Sequence, residues 1–362
     1  MPAISDITLI GSGAIGLLTA KEFVNAGCTV TLIDKSYSGQ ESSWAGGGIL
    51  LPLYPWRQPK AISTLVIASI KNYATLSNEL FNATQIDPEW YDCGLLICKN
   101  PDIDLAAQWC VDNDIPYSDA DDSFFNDLET QTNNPLWLPS IAQARNPRLL
   151  KSLKAYLLNA GVNFIENNEV ISCSINNATI NSLETLQGSI KVNQCIICTG
   201  AWTGDLAKTL LPTDLHQPNI SPVKGQMLLF DAKPDTLPHM ILDDDHYLIP
   251  RKDGKILVGS SVEHCNFDKS TTTEAKEKLF DFATGLFPAL KQFPLSHHWA
   301  GLRPGSQQGV PYIDKHPDIK NLSINAGHFR NGLVMGPASA QLMADLILDR
   351  KPCVDPEPYK LN

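Results

Sequence analysis

Long apolar runs are missing from this sequence of 362 residues. No stretch reaches about eighteen consecutive apolar residues, so the sequence predicts no membrane-spanning helix. The first six residues, Met-Pro-Ala-Ile-Ser-Asp, carry no basic group ahead of an apolar stretch, which a secretory signal peptide would need. We therefore expect a cytoplasmic protein, in which cysteine side chains stay reduced.

Positive charge is also in short supply. The chain has 28 Lys and Arg residues against 39 Asp and Glu residues, a formal net charge of −11. Proteins that bind nucleic acids cluster Lys and Arg on one face, and no such cluster stands out here. Anionic membrane surfaces attract the same kind of basic cluster. We therefore expect neither a nucleic acid nor a membrane as a partner.

Regular spacings of metal-binding residues are missing as well. The nine cysteines are an odd number without a repeating interval, and the eight histidines show no metal-ligand spacing. Cys195 and Cys198 form a C-x-x-C pair in a β-rich run, and side chains three positions apart on a strand point to opposite faces. The sequence therefore predicts no metal site and no redox-active cysteine pair.

The composition that remains is that of a soluble globular protein, with 43% hydrophobic and 19% charged residues. At a prior of about 150 residues per domain, the length indicates two domains. A chain of this length buries enough apolar surface to fold without disulfides.

The clearest functional signal is the segment "ITLIGSGAIGLL", which starts at Ile7. A predicted strand of four residues precedes its glycines, and a predicted helix over 14–26 follows them. Gly11 permits a tight turn, Gly13 lets the backbone approach a pyrophosphate, and Gly16 lets the helix and strand pack closely. The N–H groups at the N-terminus of the helix would then face the phosphates.

A second strand and an acidic residue complete the pattern. Gly27 is predicted to end the helix, and the strand Cys28–Ile33 follows it. Asp34 lies eighteen positions beyond Gly16, where an acidic side chain binds ribose hydroxyls. This β-α-β unit predicts a parallel sheet and a dinucleotide site, and by itself it leaves NAD and FAD open.

Three features of the remaining chain favour FAD. Asp34 is followed by a loop rich in Ser, Gly and aromatic residues and then by a long antiparallel region, whereas an NAD domain would continue into a second mononucleotide half. The sequence returns to buried strands only at "CIICTGAW" and "LSINAGHFRNGL".

Several further elements follow from periodicity and turn residues. The expected elements are helices over 60–82, 147–160, 273–287 and 337–349, a strand around 94–98, a β-meander over 162–201, and a type I′ turn at Asp253-Gly254.

Motifs across nearly the whole chain resemble the FAD-dependent D-amino-acid oxidase family, and within it the glycine oxidase branch. The motifs are "LIGSGAIG", "SSWAGGGILLPLYPWR", "CIICTGAWTGDL", "VKGQ", "HYLIPRKDGKILVGSS", "WAGLRPG" and "AGHFRNGLVMGPASA". The resemblance implies an α/β fold with a Rossmann-type FAD-binding domain and a substrate domain built on a large antiparallel sheet. We assign 1–85, 145–220 and 300–362 to the first domain, and 86–144 and 221–299 to the second.

The resemblance also implies a noncovalent FAD, since the stretch "GVPYIDKHPD" lacks the cysteine to which sarcosine oxidases attach the cofactor. The positions that match FAD-binding residues are Gly11, Gly13, Ala14, Ile15, Gly16, Asp34, Lys35, Ser42, Ser43, Ala45, Gly46, Gly47, Gly48, Val170, Thr199, Gly200, Trp202, Gly327, Arg330, Asn331, Gly332 and Leu333.

A guanidinium can hold a carboxylate through two parallel hydrogen bonds, and Arg303 in "WAGLRPG" is the candidate for that role. The resemblance adds Tyr247 as a second contact to the carboxylate and the backbone of Arg330 as a contact to the amine. Ile49 and Val262 stand where relatives have methionines in the substrate pocket, and such changes imply a pocket of different shape. No catalytic acid or base is expected.

The implied reaction is the oxidative deamination of glycine or of small amines such as sarcosine, D-Ala and D-Pro. A hydride passes to flavin N5, the imine hydrolyses to an oxo acid and ammonia, and dioxygen is reduced to hydrogen peroxide. In many members of the branch the imine supplies the thiazole of thiamine. A homo-oligomer is compatible with this interpretation.

Other functions stay open at this point. The nearest alternative is a D-amino-acid dehydrogenase that passes electrons to a quinone. A tRNA-modifying amine oxidase is opposed by the net charge of −11 and the length of 362 residues. A noncatalytic FAD-binding protein and a plain NAD dehydrogenase are the remaining candidates.

Overall fold

The computed structural model describes residues 4–99, 101–130 and 132–361. Within them the chain forms eight α-helices. The helices are α1 (Ala14–Asn25), α2 (Ser42–Ala45), α3 (Lys60–Thr84), α4 (Ile103–Asp112), α5 (Asn146–Asn159), α6 (Thr203–Leu210), α7 (Thr273–Leu286) and α8 (Gly336–Ile347). The predicted helices over 14–26, 60–82, 147–160, 273–287 and 337–349 therefore form, within two residues at each end.

Nineteen strands lie in the described residues. They are β1 (Ile7–Ile10), β2 (Val30–Ile33), β3 (Tyr91–Asp92), β4 (Leu95–Ile97), β5 (Ser118–Asp119), β6 (Leu136–Leu138), β7 (Ala142–Gln143), β8 (Asn163–Ile165), β9 (Val170–Asn176), β10 (Thr179–Thr185), β11 (Gly188–Lys191), β12 (Gln194–Ile197), β13 (Ile220–Asp231), β14 (Met240–Asp243), β15 (His246–Pro250), β16 (Lys255–Gly259), β17 (Leu295–Ser306), β18 (Tyr312–Lys315) and β19 (Leu322–Ala326).

The first large sheet has six strands in the order β18-β19-β12-β1-β2-β8. Strand β1 pairs in parallel with β2 on one side and with β12 on the other, and all four of its residues are buried. Gly27 has a φ of +85° after α1, so the predicted left-handed end of the helix is present. The β-α-β unit read from the glycine pattern is therefore confirmed.

The second large sheet has eight strands in the order β17-β13-β16-β15-β14-β4-β6-β5. Its pairings are antiparallel except for β14 with β4. The long strands β13 and β17 pair along nearly their whole length, and this register puts Arg303 opposite Val223. A separate core cluster containing Phe230, Leu248 and Val258 packs on one face of this sheet.

The predicted β-meander over 162–201 is only partly right. Strands β9, β10 and β11 form a three-stranded antiparallel sheet, but β8 and β12 pair in parallel within the six-stranded sheet. A short apolar run such as Cys195–Ile197 is buried on both faces, and its composition does not distinguish a parallel from an antiparallel partner.

The predicted type I′ turn at Asp253-Gly254 is wrong. Gly254 has a φ of +89°, but Asp253 has no positive φ, and a type I′ turn requires positive φ at both central residues. The Gly254 N–H donates to the carbonyl of Arg251 at 2.9 Å, and the Arg251 N–H donates to the carbonyl of Lys255 at 2.8 Å. The loop is one residue longer than predicted, with the left-handed glycine in its last position.

The strands of the two large sheets come from alternating stretches of the chain. The exact domain boundaries (1–85, 145–220 and 300–362 against 86–144 and 221–299) stay a prediction. Residues 1–3, Asn100, Gln131 and Asn362 fall within those ranges and lie outside the described residues.

Cys195 and Cys198 pack into different core clusters, as expected for side chains on opposite faces. All nine cysteines are free thiols. Across the described parts of the chain, no helix is both long and apolar enough to cross a membrane. Residues 4–99, 101–130 and 132–361 also hold no group of three or more His, Cys, Asp or Glu side chains that could bind a metal ion.

Candidate functional site

A cavity of about 530 Å³ is lined by residues attached to both large sheets. Its size lies in the range of small-molecule and cofactor sites. Every residue predicted for the site lines this cavity except Gly16 and Val262. Residues more than 300 positions apart in the chain, such as Gly11 and Arg330, therefore meet in one place.

The glycine turn after β1 forms one wall of the cavity. Gly11 has a φ of +99°, and a Cβ at this position would lie 2.6 Å from the carbonyl oxygen of Cys198. Gly13 is the N-cap of α1 and offers no side chain to the free N–H groups of the first turn. The backbone is thus open to a phosphate group at this end of the helix.

Gly16 does not line the cavity, and the structure shows the packing role that the sequence predicts for it. A Cβ on Gly16 would lie 2.0 Å from the carbonyl oxygen of Gly11. No side chain fits there, so Gly16 keeps the turn close to the helix and contributes to the site only through Gly11.

Asp34 lines the cavity at the end of β2 and is held in one orientation. Its Oδ2 atom accepts hydrogen bonds from the backbone N–H and from the hydroxyl of Ser12, both at 2.7 Å. Its Oδ1 atom accepts from the N–H of Ser36 at 3.0 Å. The carboxylate is fixed where a ribose would have to bind.

Ser43 reaches the N-terminus of α1. Its hydroxyl accepts a hydrogen bond from the N–H of Ala14 at 2.9 Å, and a Cβ on Gly13 would lie 3.0 Å from the same oxygen. Both hydroxyl-bearing residues of α2, Ser42 and Ser43, line the cavity beside the glycine turn. This is the position that phosphate oxygens would take.

An aromatic and cationic cluster encloses the same end of the cavity. The Lys35 ammonium lies 3.9 Å from the centre of the Trp202 ring, and burial lowers the pKa of Lys35. Phe267 stacks on Trp202 with ring centres 5.6 Å apart. Residue patterns do not point to Phe267, because it lies in a polar loop far from the glycine motif.

Arg303 marks the other end of the cavity. Its guanidinium donates to the hydroxyl of Ser260 at 2.7 Å, to the carbonyl of Ser261 at 3.1 Å and to the carbonyl of Lys224 at 3.2 Å. None of these acceptors carries a charge. A Cβ on Gly225 would lie 2.0 Å from Nη2 of Arg303, so the guanidinium depends on a glycine at that position.

Desolvation is the main cause that lowers the pKa of Arg303, and the positive charge of Arg330 adds to it. Both arginines line the cavity, so this end of it attracts an anion. Such an environment suits the carboxylate of a small molecule.

Tyr247 lies on β15, which β16 and β13 separate from β17, the strand that carries Arg303. Both side chains line the cavity. Its hydroxyl donates to the sulfur of Met227 at 3.4 Å. A Cβ on Gly47 would lie 3.2 Å from the Tyr247 ring, and one on Gly259 would lie 2.6 Å from it. The tyrosine is therefore fitted between two glycines, and it lines the cavity.

The loop before α8 closes this end of the cavity. Phe329 has a φ of +49°, and its N–H donates to the carbonyl of Pro304 at 2.9 Å, which ties the loop to β17. The N–H of Asn331 donates to the carbonyl of His328 at 2.9 Å. The Nε atom of Arg330 is buried and has no hydrogen-bond partner among the described residues.

Val262 is the one predicted pocket residue that the structure places elsewhere. It is 46% exposed, lies three positions beyond the end of β16 and does not line the cavity. Ser260, which sequence reasoning missed, lines the cavity and bonds to Arg303. The substitution of methionine by Val262 therefore does not alter the pocket wall, whereas Ile49 does line it.

Arg251 is a second residue that the sequence analysis missed. It is 6% exposed, and its Nη2 atom donates to the carbonyl of Gly47 at 2.7 Å. In the sequence it belongs to "PRKDG", which reads as a charged surface turn. Only the packing of β15 against the segment around Gly47 shows that its side chain points inward.

These features fit a flavin dinucleotide. One end offers bare backbone at Gly11, serine hydroxyls at the start of α1 and a fixed carboxylate at Asp34, which suit a pyrophosphate and a ribose. The glycines at 46–48 leave a flat wall between that end and Arg303. The residues that would hold the cofactor are thus in place along the whole cavity.

Comparisons with known proteins agree with this geometry. The family described as FAD dependent oxidoreductase (DAO) matches residues 6–346. The glycine oxidase of Pseudomonas aeruginosa is 41% identical over 358 residues, which cover 98% of this chain and 97% of that protein. A bifunctional protein ThiO/ThiG of Synechocystis is 28% identical over 362 residues, which cover 97% of this chain and 53% of that protein.

Among solved structures, the glycine oxidase from Geobacillus kaustophilus superposes with a TM-score of 0.92. It is 24% identical in sequence, and the match covers 99% of this chain and 98% of that one. At that identity the likeness establishes the fold, including both large sheets. Together with the family match over nearly the whole length, it shows that the chain belongs to the family of FAD-dependent oxidoreductases.

Proposed function

We propose that this FAD-dependent oxidoreductase oxidises small amines that carry a carboxylate, glycine among them, with dioxygen as the electron acceptor. The observation that carries the proposal is Arg303, a half-buried guanidinium that faces the cavity and bonds only to neutral oxygens. A partly desolvated cation without a carboxylate partner loses hydration, and a ligand that supplies a carboxylate offsets that loss. The glycine oxidase that is 41% identical to this chain supports the choice of substrate class.

The side chains at this end of the cavity are suited to bind and orient the substrate. Arg303 would hold the carboxylate through two hydrogen bonds, with the Tyr247 hydroxyl as a third contact. The amine would lie toward the backbone of the loop at Arg330. Fixing both ends of so small a molecule aligns its α-carbon, an effect worth up to about 7–11 kcal/mol in well-aligned cases.

A bound FAD would supply the oxidising chemistry, as the hydride acceptor at flavin N5. The chain itself needs no acid or base beyond the loss of one proton from the substrate ammonium. The acidic residues that line the cavity, Asp34, Glu41, Glu169 and Asp205, all lie on segments attached to the six-stranded sheet, away from Arg303. Burial lowers the pKa of His328 to about 3, so this lining histidine is neutral.

The first test is reduction without oxygen. The purified holoprotein is mixed anaerobically with glycine, sarcosine, D-Ala or D-Pro, and the visible flavin band is followed. We expect at least one of these amines to bleach the band. A flavin that none of them reduces would contradict the proposal and favour a noncatalytic FAD-binding protein.

The role of Arg303 is tested by substitution. We expect Arg303→Ala to raise KM about 100-fold or more, because loss of one partner of a buried charged pair costs about 2–5 kcal/mol. Arg303→Lys should recover part of the loss, since an ammonium keeps the charge without the two-pronged geometry. Arg350→Ala, at an exposed arginine that does not line the cavity, is the matched control. Equal KM values for Arg303→Ala and the control would remove Arg303 from this role.

The electron acceptor is the part of the proposal on which the nearest alternative differs. A D-amino-acid dehydrogenase would share Arg303 and pass electrons to a quinone. We expect hydrogen peroxide in an amount equal to the amine consumed. Fast reduction of a quinone analogue with little peroxide would support the dehydrogenase instead.

The use of the imine product, the location of the enzyme and its oligomeric state belong to the same proposal. The relative from Synechocystis is named bifunctional protein ThiO/ThiG, and this chain matches about half of its length. We propose that the imine made here supplies the thiazole of thiamine, in a cytoplasmic enzyme that forms a homo-oligomer. A thiamine requirement after deletion of the gene, and the mass of the holoprotein in solution, test these two points.

A further inference from the structure

Arg251 is a buried cation directly behind the wall of the cavity. It follows β15, its side chain is 6% exposed, and it does not line the cavity itself. Burial lowers its pKa to about 10, which leaves the guanidinium protonated at neutral pH. The mechanism described above does not use it.

Its hydrogen-bond partners are all neutral. Nη2 donates to the carbonyl of Gly47 at 2.7 Å, and Nη1 donates to the carbonyl of Ala144 at 3.3 Å and to the side-chain oxygen of Gln143. Nε is buried without a partner among the described residues. No carboxylate in the described chain forms an ion pair with this guanidinium.

The nearest acidic groups are already engaged elsewhere. Glu89 and Asp253 act on Arg251 only through space, and both bind Arg145, at 3.0 Å and 2.9 Å. The charge of Arg145 in turn offsets theirs. Little unpaired negative charge near Arg251 is therefore left to cancel its field. Because the surroundings are buried and have a low dielectric constant, the field of the guanidinium is strong.

The carbonyl that Arg251 holds belongs to the flat wall of the cavity. Gly47 lines the cavity, and a Cβ on it would lie 2.7 Å from Ile249 and 3.2 Å from the Tyr247 ring. The guanidinium is thus one peptide group away from the space that FAD needs. It both fixes the position of that peptide and orients its dipole.

We propose that Arg251 is a positioning residue that fixes the Gly47 wall and supplies a positive potential favouring added negative charge on the bound flavin. The inference rests on the FAD site of the family and is independent of which amine is oxidised. Its consequence is an equilibrium effect on the flavin: any process that adds negative charge to the ring becomes easier when Arg251 is present.

Sulfite provides a measurement that needs no amine substrate. It adds to flavin N5 and places negative charge on the ring, so its dissociation constant reports the local potential. We expect Arg251→Met, which keeps an unbranched side chain in place of the apolar stem and removes the charge, to weaken sulfite binding about tenfold. For a two-electron couple a tenfold change corresponds to about 30 mV, and the midpoint potential should fall by about that amount.

Two further variants separate charge from shape. Arg251→Lys keeps the charge and loses the planar set of hydrogen bonds, so its sulfite affinity should stay within about threefold of the parent. Glu89→Gln removes a negative charge that acts on Arg251 and should tighten sulfite binding, the opposite of Arg251→Met. The affinity of the apoprotein for FAD and the visible spectrum are recorded for each variant.

The outcomes are distinct. If Arg251→Lys and Arg251→Met weaken sulfite binding equally, the positive charge is not the cause. That result would overturn the electrostatic part of the proposal and leave Arg251 with a structural role only. An unchanged sulfite affinity in Arg251→Met would overturn the whole inference. If Arg251→Met does not retain FAD, Glu89→Gln decides, and no tightening there would overturn the proposal. A parent holoprotein that binds sulfite but oxidises no amine would refute the proposed function and leave this inference intact.

Discussion

Missing side chains determine the shape of the cavity as much as the functional groups do. Arg303 extends across β13 only because Gly225 has no Cβ, which would otherwise lie 2.0 Å from Nη2. Tyr247 likewise fits between Gly47 and Gly259. At the scale of single residues, the two predicted carboxylate-binding side chains, Arg303 and Tyr247, each pack against a glycine on a neighbouring strand or loop.

The pairing of Arg303 with Gly225 leads to a prediction. In Gly225→Ala the new Cβ is fixed to the backbone of β13, so the flexible side chain of Arg303 has to move instead. We expect this displacement of the guanidinium to raise KM at least tenfold, although Arg303 itself is retained. Steady-state kinetics on the amine that bleaches the flavin provide the measurement.

Gly285→Ala is the matched control for that experiment. Gly285 lies in α7, and a Cβ there meets nothing within 4 Å. Alanine should stabilise the helix by up to about 1 kcal/mol and leave KM unchanged. A Gly225→Ala enzyme with the KM of this control would show that the guanidinium can bind substrate from another position.

At the scale of elements, the wall formed by residues 46–50 is irregular backbone held from both sides. The N–H of Leu50 donates to the carbonyl of Ala142 at 3.0 Å, and the N–H of Ala144 donates to the carbonyl of Gly48 at 2.9 Å. Asn146, at the start of α5, donates to the carbonyl of Ser43 at 2.7 Å. This segment forms no regular secondary structure, and its position depends on hydrogen bonds to residues in and next to β7 and α5.

The second prediction concerns Gly48, which has a φ of +87°. A Cβ there would lie 2.0 Å from the carbonyl oxygen of Ala144. Gly48→Ala should therefore push the wall into the cavity and weaken the binding of FAD by the apoprotein at least tenfold. Quenching of flavin fluorescence measures the dissociation constant.

Gly161→Ala is the control that separates the two effects of Gly48→Ala, the strain of a left-handed backbone and the collision of the new Cβ. Gly161 has a φ of +83°, yet a Cβ there meets nothing within 4 Å. Both variants should lose about 1 kcal/mol of stability from the left-handed conformation, but only Gly48→Ala should lose FAD. Similar FAD affinities in the two variants would mean that the wall is not needed for cofactor binding.

At the scale of the whole molecule, buried neutral histidines make stability depend on pH. His328 is 2% exposed, bonds to the hydroxyl of Ser339 at 3.0 Å, and has a pKa of about 3 because of burial. In the unfolded chain a histidine has a pKa of about 6.5. As the pH falls below that value, the unfolded chain takes up a proton that the folded chain does not.

This difference gives the third prediction. As the pH falls from about 6.5 toward the folded pKa of about 3, His328 lowers the free energy of unfolding by about 1.4 kcal/mol for each pH unit. His328→Asn should make the slope of stability against pH shallower by that amount, as measured by urea unfolding between pH 6 and pH 4.5. His264→Asn, at an exposed histidine, should keep the parent slope. An unchanged slope in His328→Asn would mean that the imidazole is protonated in the folded protein.

Local chemistry made part of this structure predictable. The turn at Gly11, the helix that follows it and the carboxylate at Asp34 depend on neighbours in the chain, so their spacing alone fixed them. The eight-stranded sheet was foreseen only through resemblance, because alternation of apolar residues gives strands and not their partners. The same limitation explains the wrong assignment of β8 and β12 to a meander.

Residue spacing was enough to predict the dinucleotide end of the site, and resemblance was enough to predict the residue types at the carboxylate end. The tertiary structure alone decided that Arg303 crosses Gly225, that Arg251 turns inward to Gly47, and that Val262 stays at the surface. Each of these depends on two segments that are distant in sequence and adjacent in space. No local pattern contains the register between two strands or the room left by a missing Cβ, so only the folded chain could reveal them.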